Sequence, residues 1–356
     1  MKKMQRIVVK VGSNVLTRTD GKLDVTRVST LVDQFAWLYR EGYEVVVVSS
    51  GSVASGRSLL KVNRSLDNVE QRQLYSAVGQ TKLMSTYYNL FREHEIPIGQ
   101  VLTQKENFST RRAYLNQRSC MEVMLANGVI PIVNENDTVS VTELMFTDND
   151  ELSGLIASML NADTLVILSN VDGIYKDINT KEVLPEVHAE DSLENYVQQT
   201  KSSFGRGGML TKCNIAAKVA SEGIRVLIAN GRRDHILVDL FQQPDKVLHT
   251  TFCPAENTVS NIKKWIAHST GFTKGSVWMN DKAIQTIQGP RATSVLLVGA
   301  TKLEGDFLEG DIIHIKDTQG NIIGMGCSSY DRQDAENHLG EHGLRPLIHY
   351  DFLYLE

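Results

Sequence analysis

Three stretches of this chain hold residue types that could act on a phosphoryl group. In the first, Ile7-Val8-Val9-Lys10-Val11 is a β-branched run broken by one lysine and followed by Gly12-Ser13. In the second, the apolar Ile130-Pro131-Ile132-Val133 opens into Asn134-Glu135-Asn136-Asp137, with Thr147-Asp148-Asn149-Asp150 further on. In the third, Gly205-Arg206-Gly207-Gly208 runs into Met209-Leu210-Thr211-Lys212. A lysine buried in a strand is costly unless it is paired or meets an anion. The plain alternative is an edge-strand lysine reaching solvent. Against it, Gly12-Ser13 can offer backbone N–H groups to phosphate directly after the lysine. Ser50-Gly51-Ser52 is either a second such loop or a simple strand-to-helix turn. Lys10 and Lys212 are two cations able to flank a transferring phosphoryl group. Carboxylates and carboxamides at the carboxyl end of a buried strand suit a small polar acid. The combined reading is phosphoryl transfer to such an acid.

Other motifs fail on inspection. The glycine-rich stretch before Lys212 is not a P-loop, which needs Gly-Lys-Ser/Thr after four intervening residues. It is not a dinucleotide fingerprint either, because Leu210 stands where the third glycine belongs. Asp148-Asn149-Asp150 starts like a calcium loop, but Ser153 and Met159 occupy the positions that require Gly and Glu. Asp150 is instead expected to help cap a helix beginning near Leu152. There is no Gly-x-Ser-x-Gly elbow. Cys120, Cys213, Cys253 and Cys327 have neither zinc nor Cys-x-x-Cys spacing, and are expected to be reduced, mostly packed thiols.

The elements that must position these groups alternate. Strands are expected at 7–11, 45–48, 96–102, 129–133, 164–168 and 225–229. Helices are expected from Asp24 to Gly42, from Leu74 toward Phe91, at 114–126, 152–160 and 209–220. Such alternation implies an α/β fold with a mostly parallel sheet sandwiched by helices. From Gly275 the segments are short, β-rich and glycine-punctuated (294–298, 311–315, 321–325), which points to a small second domain. The expected domains are 1–255 and 273–356.

At 356 residues the chain has room for two cores, and 42% hydrophobic with 22% charged residues is ordinary for a globular protein. The net charge of −5 gives no global pull toward nucleic acid or an anionic membrane. Residues 273–356 hold 7 Lys+Arg against 12 Asp+Glu, so the formal excess lies in that segment. The run after Met1-Lys2-Lys3 is interrupted by Lys10, Ser13 and Asn14, which argues against an export signal. No stretch reaches the roughly 18 apolar residues of a membrane helix. A soluble, cytoplasmic protein is expected.

In this order the stretches resemble the amino acid kinase family. The resemblance rests on Val9-Lys10-Val11-Gly12-Ser13, Val48-Ser49-Ser50-Gly51-Ser52, Ser76-Ala77-Val78-Gly79-Gln80, Tyr114-Leu115-Asn116 and Pro131 to Asp137. It continues through Asp148-Asn149-Asp150, Val171-Asp172-Gly173-Ile174-Tyr175 and Gly207 to Lys212. The tail, with Gly275-Ser276, Gly305-Asp306-Phe307 and Gly310-Asp311, is similar to a PUA domain. The resemblance implies ATP-dependent phosphorylation of the γ-carboxylate of L-glutamate to L-glutamate 5-phosphate, the first step of proline biosynthesis, with proline as feedback inhibitor.

On that footing Lys10, Asp150 and Lys212 are the catalytic groups, with Asp150 positioning both ammonium groups. Ser50, Asn134, Asp137 and Asn149 hold the amino acid, Asp137 meeting its ammonium. ATP falls to Lys10, Gly12, Ser13, Gly51, Ser169, Asn170, Arg206, Gly207, Gly208, Met209, Leu210, Thr211 and Lys212, with the backbone amides of Gly12 and Gly51 on the phosphates. Mg2+ travels with ATP, held mainly by phosphates and water rather than by protein ligands. Ser169-Asn170 departs from the family's usual Thr-Asp or Ser-Asp, and Arg206 from its usual small residue. A homodimer or homotetramer is implied.

The alternative within the fold is a kinase for aspartate, N-acetylglutamate or carbamate. Asp137 speaks against an acetylated substrate, since only a free ammonium needs a carboxylate partner. RNA binding through the PUA-like tail is a different class of function, and the tail's acidity argues against it.

Overall fold

The valine-rich runs form the middle of a sheet covered on both faces. The computed structural model describes residues 4–62, 65–139, 149–177, 180–188, 191, 209–256, 261–267, 272–289 and 293–355. They divide into two units, 1–105 with 117–258, and 106–116 with 259–356.

In the first unit β1 (Arg6–Val11) lies between β2 (Glu44–Ser49) and β5 (Thr164–Ser169), parallel to both, with Lys10 in register with Val48 and Ile167. Beyond β2 come β4 (Ile130–Glu135) and β3 (Ile98–Thr103). Beyond β5 come β9 (Arg225–Asn230), β10 (His249–Phe252) and β8 (Glu186–Val187). The strands from β3 across to β9 are all parallel, whereas β10 runs antiparallel to β9. Parallelism brings the carboxyl ends of β1, β2, β4 and β5 to one edge. The short pair β6 (Tyr175–Asp177) and β7 (Glu182–Val183) forms a separate ribbon.

Strand alternation sorts β1 onto two faces. Ile7, Val9 and Val11 join a core with Phe35 of α2 (Val25–Arg40) and with Leu83, Tyr87 and Phe91. Val8 and Lys10 face the other way. Two short helices follow strands directly, α1 (Ser13–Leu16) after β1 and α3 (Ser52–Arg57) after β2. The long α4 (Asn68–Arg92) starts six residues before the expected Leu74. Asp67 and Glu70 form a capping box that satisfies its first amides. α3 and α4 cross closely, because a Cβ on Gly79 would strike the Ser52 carbonyl oxygen and one on Gly56 the Tyr75 carbonyl oxygen. β3 begins at Ile98 rather than Ile96, since the Ile96 N–H still donates to the Phe91 carbonyl at the end of α4 (3.2 Å).

α5 (Arg111–Ala126) is divided between the two residue ranges, and α6 (Asn149–Leu160) and α7 (Met209–Ser221) belong to the first. No helix among the described residues is long and apolar enough to cross a membrane.

The second unit is built on five strands in the order β12 (Ala300–Gly305), β11 (Gly275–Met279), β13 (Ile312–Lys316), β14 (Ile322–Cys327), β15 (Leu353–Leu355). Val277, Met279, Phe307, Ile313, Ile315 and Leu353 meet in its core. The strand expected at 294–298 does not form. Val295 makes a single bridge to Ile348, and Leu297–Gly299 turns as a 3₁₀ helix.

Candidate active site

Two ammonium groups share one carboxylate at the strand-end edge. Lys10 Nζ lies 2.6 Å from Asp150 Oδ1, and Lys212 Nζ lies 2.9 Å from Asp150 Oδ2. β1 delivers Lys10, the first turn of α6 Asp150, and the first turn of α7 Lys212. The Asp150 side chain is 0% exposed, and those of Lys10 and Lys212 are 7% and 11% exposed. Burial alone would push the Asp150 carboxyl up, but the two ammonium groups override it and hold it below the ordinary carboxylate range. Asp150 is therefore not the cap of its helix: it sits inside the first turn, with its oxygens given to lysines. The trio carries a formal charge of +1 in a buried place, which calls for an anion.

Beside it, the loop after β1 differs from expectation at Gly12. Its N–H donates to the Leu168 carbonyl (3.3 Å) and continues the sheet, so this amide is not available to a phosphate. The N–H groups of Ser13 and Asn14, which open α1, have no hydrogen bond among the described residues. After β2, the Ser50 N–H donates to the Val11 carbonyl (3.1 Å), fixing the two loops side by side. Gly51 has φ +107°, a backbone conformation that favours glycine, and it starts α3.

A second charged cluster in the cleft is acidic. Glu135 and Asp137, two apart at the end of β4, are both buried and both engaged by Arg72 of α4. Arg72 Nη2 lies 2.6 Å from Glu135 Oε2 and 2.5 Å from Asp137 Oδ1, and Nε donates to Asp137 Oδ1 (2.6 Å). The Ser52 hydroxyl donates to Asp137 Oδ2 (3.2 Å). In the same cleft, the Asn149 amide nitrogen donates to Ser50 Oγ (2.9 Å) and Asn134 Oδ1 (3.1 Å), while Asn134 Nδ2 donates to Gln80 Oε1 (3.0 Å). Ser52 and Gln80 stood in the quoted stretches without an assigned role, and Arg72 was not legible as a site residue at all. Arg72 is one charge among several on a long helix, and only the α3–α4 crossing turns it toward β4.

These groups line a cleft of about 480 Å³. Of the residues expected from sequence, Lys10, Gly12, Ser13, Ser50, Gly51, Asn134, Asp137, Asn149, Asp150, Ser169 and Lys212 line it. Asn170 does not, though it accepts a hydrogen bond from Ser169 Oγ (3.4 Å). Met209, Leu210 and Thr211 form the start of α7 outside the lining, with Leu210 exposed. Arg206, Gly207 and Gly208, like Thr147 and Asp148, lie outside the described residues. Among the described residues each carboxylate of the cleft is already in an ion pair, so the donor set does not suit a resident divalent cation.

Residues 5–230 match the amino acid kinase family and residues 275–347 the PUA domain. A relative from Bacteroides thetaiotaomicron, named glutamate 5-kinase, is 60% identical, covering 99% of this chain and 98% of its own length. Another of that name from Chlorobaculum tepidum is 46% identical over 99% of this chain and 97% of its own length. Among solved structures, carbamate kinase from Giardia lamblia bound to AMP-PNP aligns with a TM-score of 0.51 at 18% identity, covering 72% of this chain and 100% of the other. At that identity the likeness is one of fold.

Proposed function

The chain belongs to the amino acid kinase family, among the glutamate 5-kinases with a C-terminal PUA domain, and we propose that it transfers the γ-phosphoryl group of ATP to the γ-carboxylate of L-glutamate. The observation that carries the reading is the buried Lys10–Asp150–Lys212 trio with its single excess positive charge. A carboxylate oxygen of glutamate attacks the γ-phosphorus, the bond to the bridging oxygen of ADP breaks, and an acyl phosphate forms. The acceptor is already ionised at neutral pH, so the protein supplies no general base. Its task is to hold two anions in line and to neutralise the equatorial phosphoryl oxygens. Lys10 and Lys212 do the second, and Asp150 fixes where both ammonium groups point. The amides of Ser13, Asn14 and Gly51 support the phosphates. Asp137 takes the substrate ammonium, and Ser50, Asn134 and Asn149 hydrogen-bond the rest of its headgroup.

Mg2+ accompanies ATP on its phosphates, where it screens their charge; the chain itself supplies no step through it. Proline, an amino acid with the same number of carbons as glutamate but closed into a ring and lacking the γ-carboxylate, is proposed as an inhibitor, and the enzyme as a cytoplasmic homo-oligomer. Activity indifferent to millimolar proline would remove the inhibitor from this reading.

The test is turnover by the purified protein with ATP, magnesium and, separately, L-glutamate, L-aspartate, N-acetyl-L-glutamate or no acceptor, trapping acyl phosphate with hydroxylamine. Hydroxamate with glutamate and not with the others is expected. Strong preference for N-acetylglutamate would overturn the assignment of the acceptor, and no turnover with any acid would overturn the kinase.

A further inference from the structure

Arg72 carries a consequence that rests on the reading of Asp137 as the ammonium partner. Glu135 is the last residue of β4 and Asp137 lies two residues beyond it in the turn that follows, and both carboxylates reach the same guanidinium. Both are buried, and two bare carboxylates so placed repel each other. The guanidinium of Arg72 bridges them, with Nη2 on both acids and Nε on Asp137. These three side chains carry a formal charge of −1 between them, and they line the same cleft as the positively charged Lys10–Asp150–Lys212 trio. Among the described residues Arg57 also lines the cleft; it is exposed and lies over the Tyr75 ring (5.7 Å). Water screens its charge far more than that of Arg72's buried partners.

We propose that Arg72 is a positioning residue for acceptor selection: it cancels one of the two buried carboxylates and fixes Asp137, so that the cleft presents a single negative charge to a single ammonium. The cleft then matches a free amino acid at both ends, net negative toward the α-ammonium and net positive toward the γ-carboxylate and phosphate. A substrate with a blocked amine leaves the negative end unneutralised and is disfavoured there. Arg72 acts through Asp137 rather than on the reacting atoms, so its loss falls on acceptor binding and not on the chemical step.

The test is a charge-balance series on the full chain, with glutamate and ATP varied separately and rates read as hydroxamate. Arg72→Met is expected to raise the glutamate KM at least about ten-fold, as truncating one partner of a buried ion pair does. Its ATP KM and kcat are expected to move little. Arg72→Lys, which keeps the charge without the fork, falls between wild type and Arg72→Met. The deciding variant is Arg72→Met with Glu135→Gln, which removes one charge of each sign and restores −1; it is expected to recover most of the lost affinity for glutamate. A double variant no better than Arg72→Met, an Arg72→Met enzyme with unchanged glutamate KM, or Arg72→Lys no better than Met would each overturn the inference. If Arg72→Met does not fold, the double variant and Arg72→Lys still decide. Asp137→Asn runs alongside: an unchanged glutamate KM in that variant would refute the ammonium reading itself, and a raised one with no response at Arg72 would refute only the role of Arg72.

Discussion

Replacing Lys212 with methionine separates the catalytic use of the buried trio from its cost to folding. The substitution keeps a long side chain and removes the ammonium 2.9 Å from Asp150 Oδ2. Asp150 keeps Lys10 at 2.6 Å, so the remaining pair is formally neutral. Two ammonium groups on opposite oxygens of one carboxylate repel each other, on the order of a few kcal/mol at an effective dielectric of about 20. Losing that repulsion, and the desolvation of a nine-tenths-buried lysine, offsets the lost attraction to Asp150. The free enzyme is therefore expected to melt no lower than wild type, and removal of a cation from the transferring phosphoryl group is expected to cut kcat by about 10²–10³-fold. The glutamate KM is expected to stay within about three-fold, because the group acts on charge that develops in the transition state. Steady-state kinetics with hydroxamate detection, paired with thermal melts without nucleotide, measure both. A change confined to KM, or a melting point depressed as by a core truncation, would refute the reasoning.

Asp150→Asn is expected to do the opposite to stability, removing the carboxylate that both buried ammonium groups share and costing about 3–5 kcal/mol. The Asp150 carboxyl is held below its ordinary 3.8, so its stabilisation is present above that pH and is lost as the pH falls through the lower folded value. The gap between wild type and Asp150→Asn in denaturant melts should therefore be widest near neutrality and close on acidification below about pH 4; a gap independent of pH would contradict the pairing. Gly79→Ala is expected to cost about 1–3 kcal/mol, since the new methyl meets the Ser52 carbonyl at the α3–α4 crossing. It should also raise the glutamate KM, because that crossing sets Ser52 and Arg72 against Asp137. An unchanged melting temperature would show that the crossing opens freely.

Residue chemistry is local, and the sequence by itself determined it. Val45 to Val48 and Thr164 to Leu168 are strands buried on both faces because β-branched, apolar runs suit that place. Lys10 stood out as a charge where its neighbours are apolar, and Asn134 to Asp137 as polar groups at the end of such a strand. What those groups touch depended on contacts far apart in the chain. Lys10 meets Asp150, which Lys212 also reaches, only because β1 lies at the centre of the sheet and presents alternate residues to opposite faces. Asp150 has the residue type of a helix cap, but two lysines arriving from elsewhere claim its carboxylate. Gly12 has the look of a phosphate-binding amide, but parallel pairing with β5 spends its N–H on Leu168. Arg72 carried no local mark at all. Glycines at 56 and 79 let two helices approach closely enough to turn it onto Glu135 and Asp137, and that is a property of the packed chain, not of any segment of it.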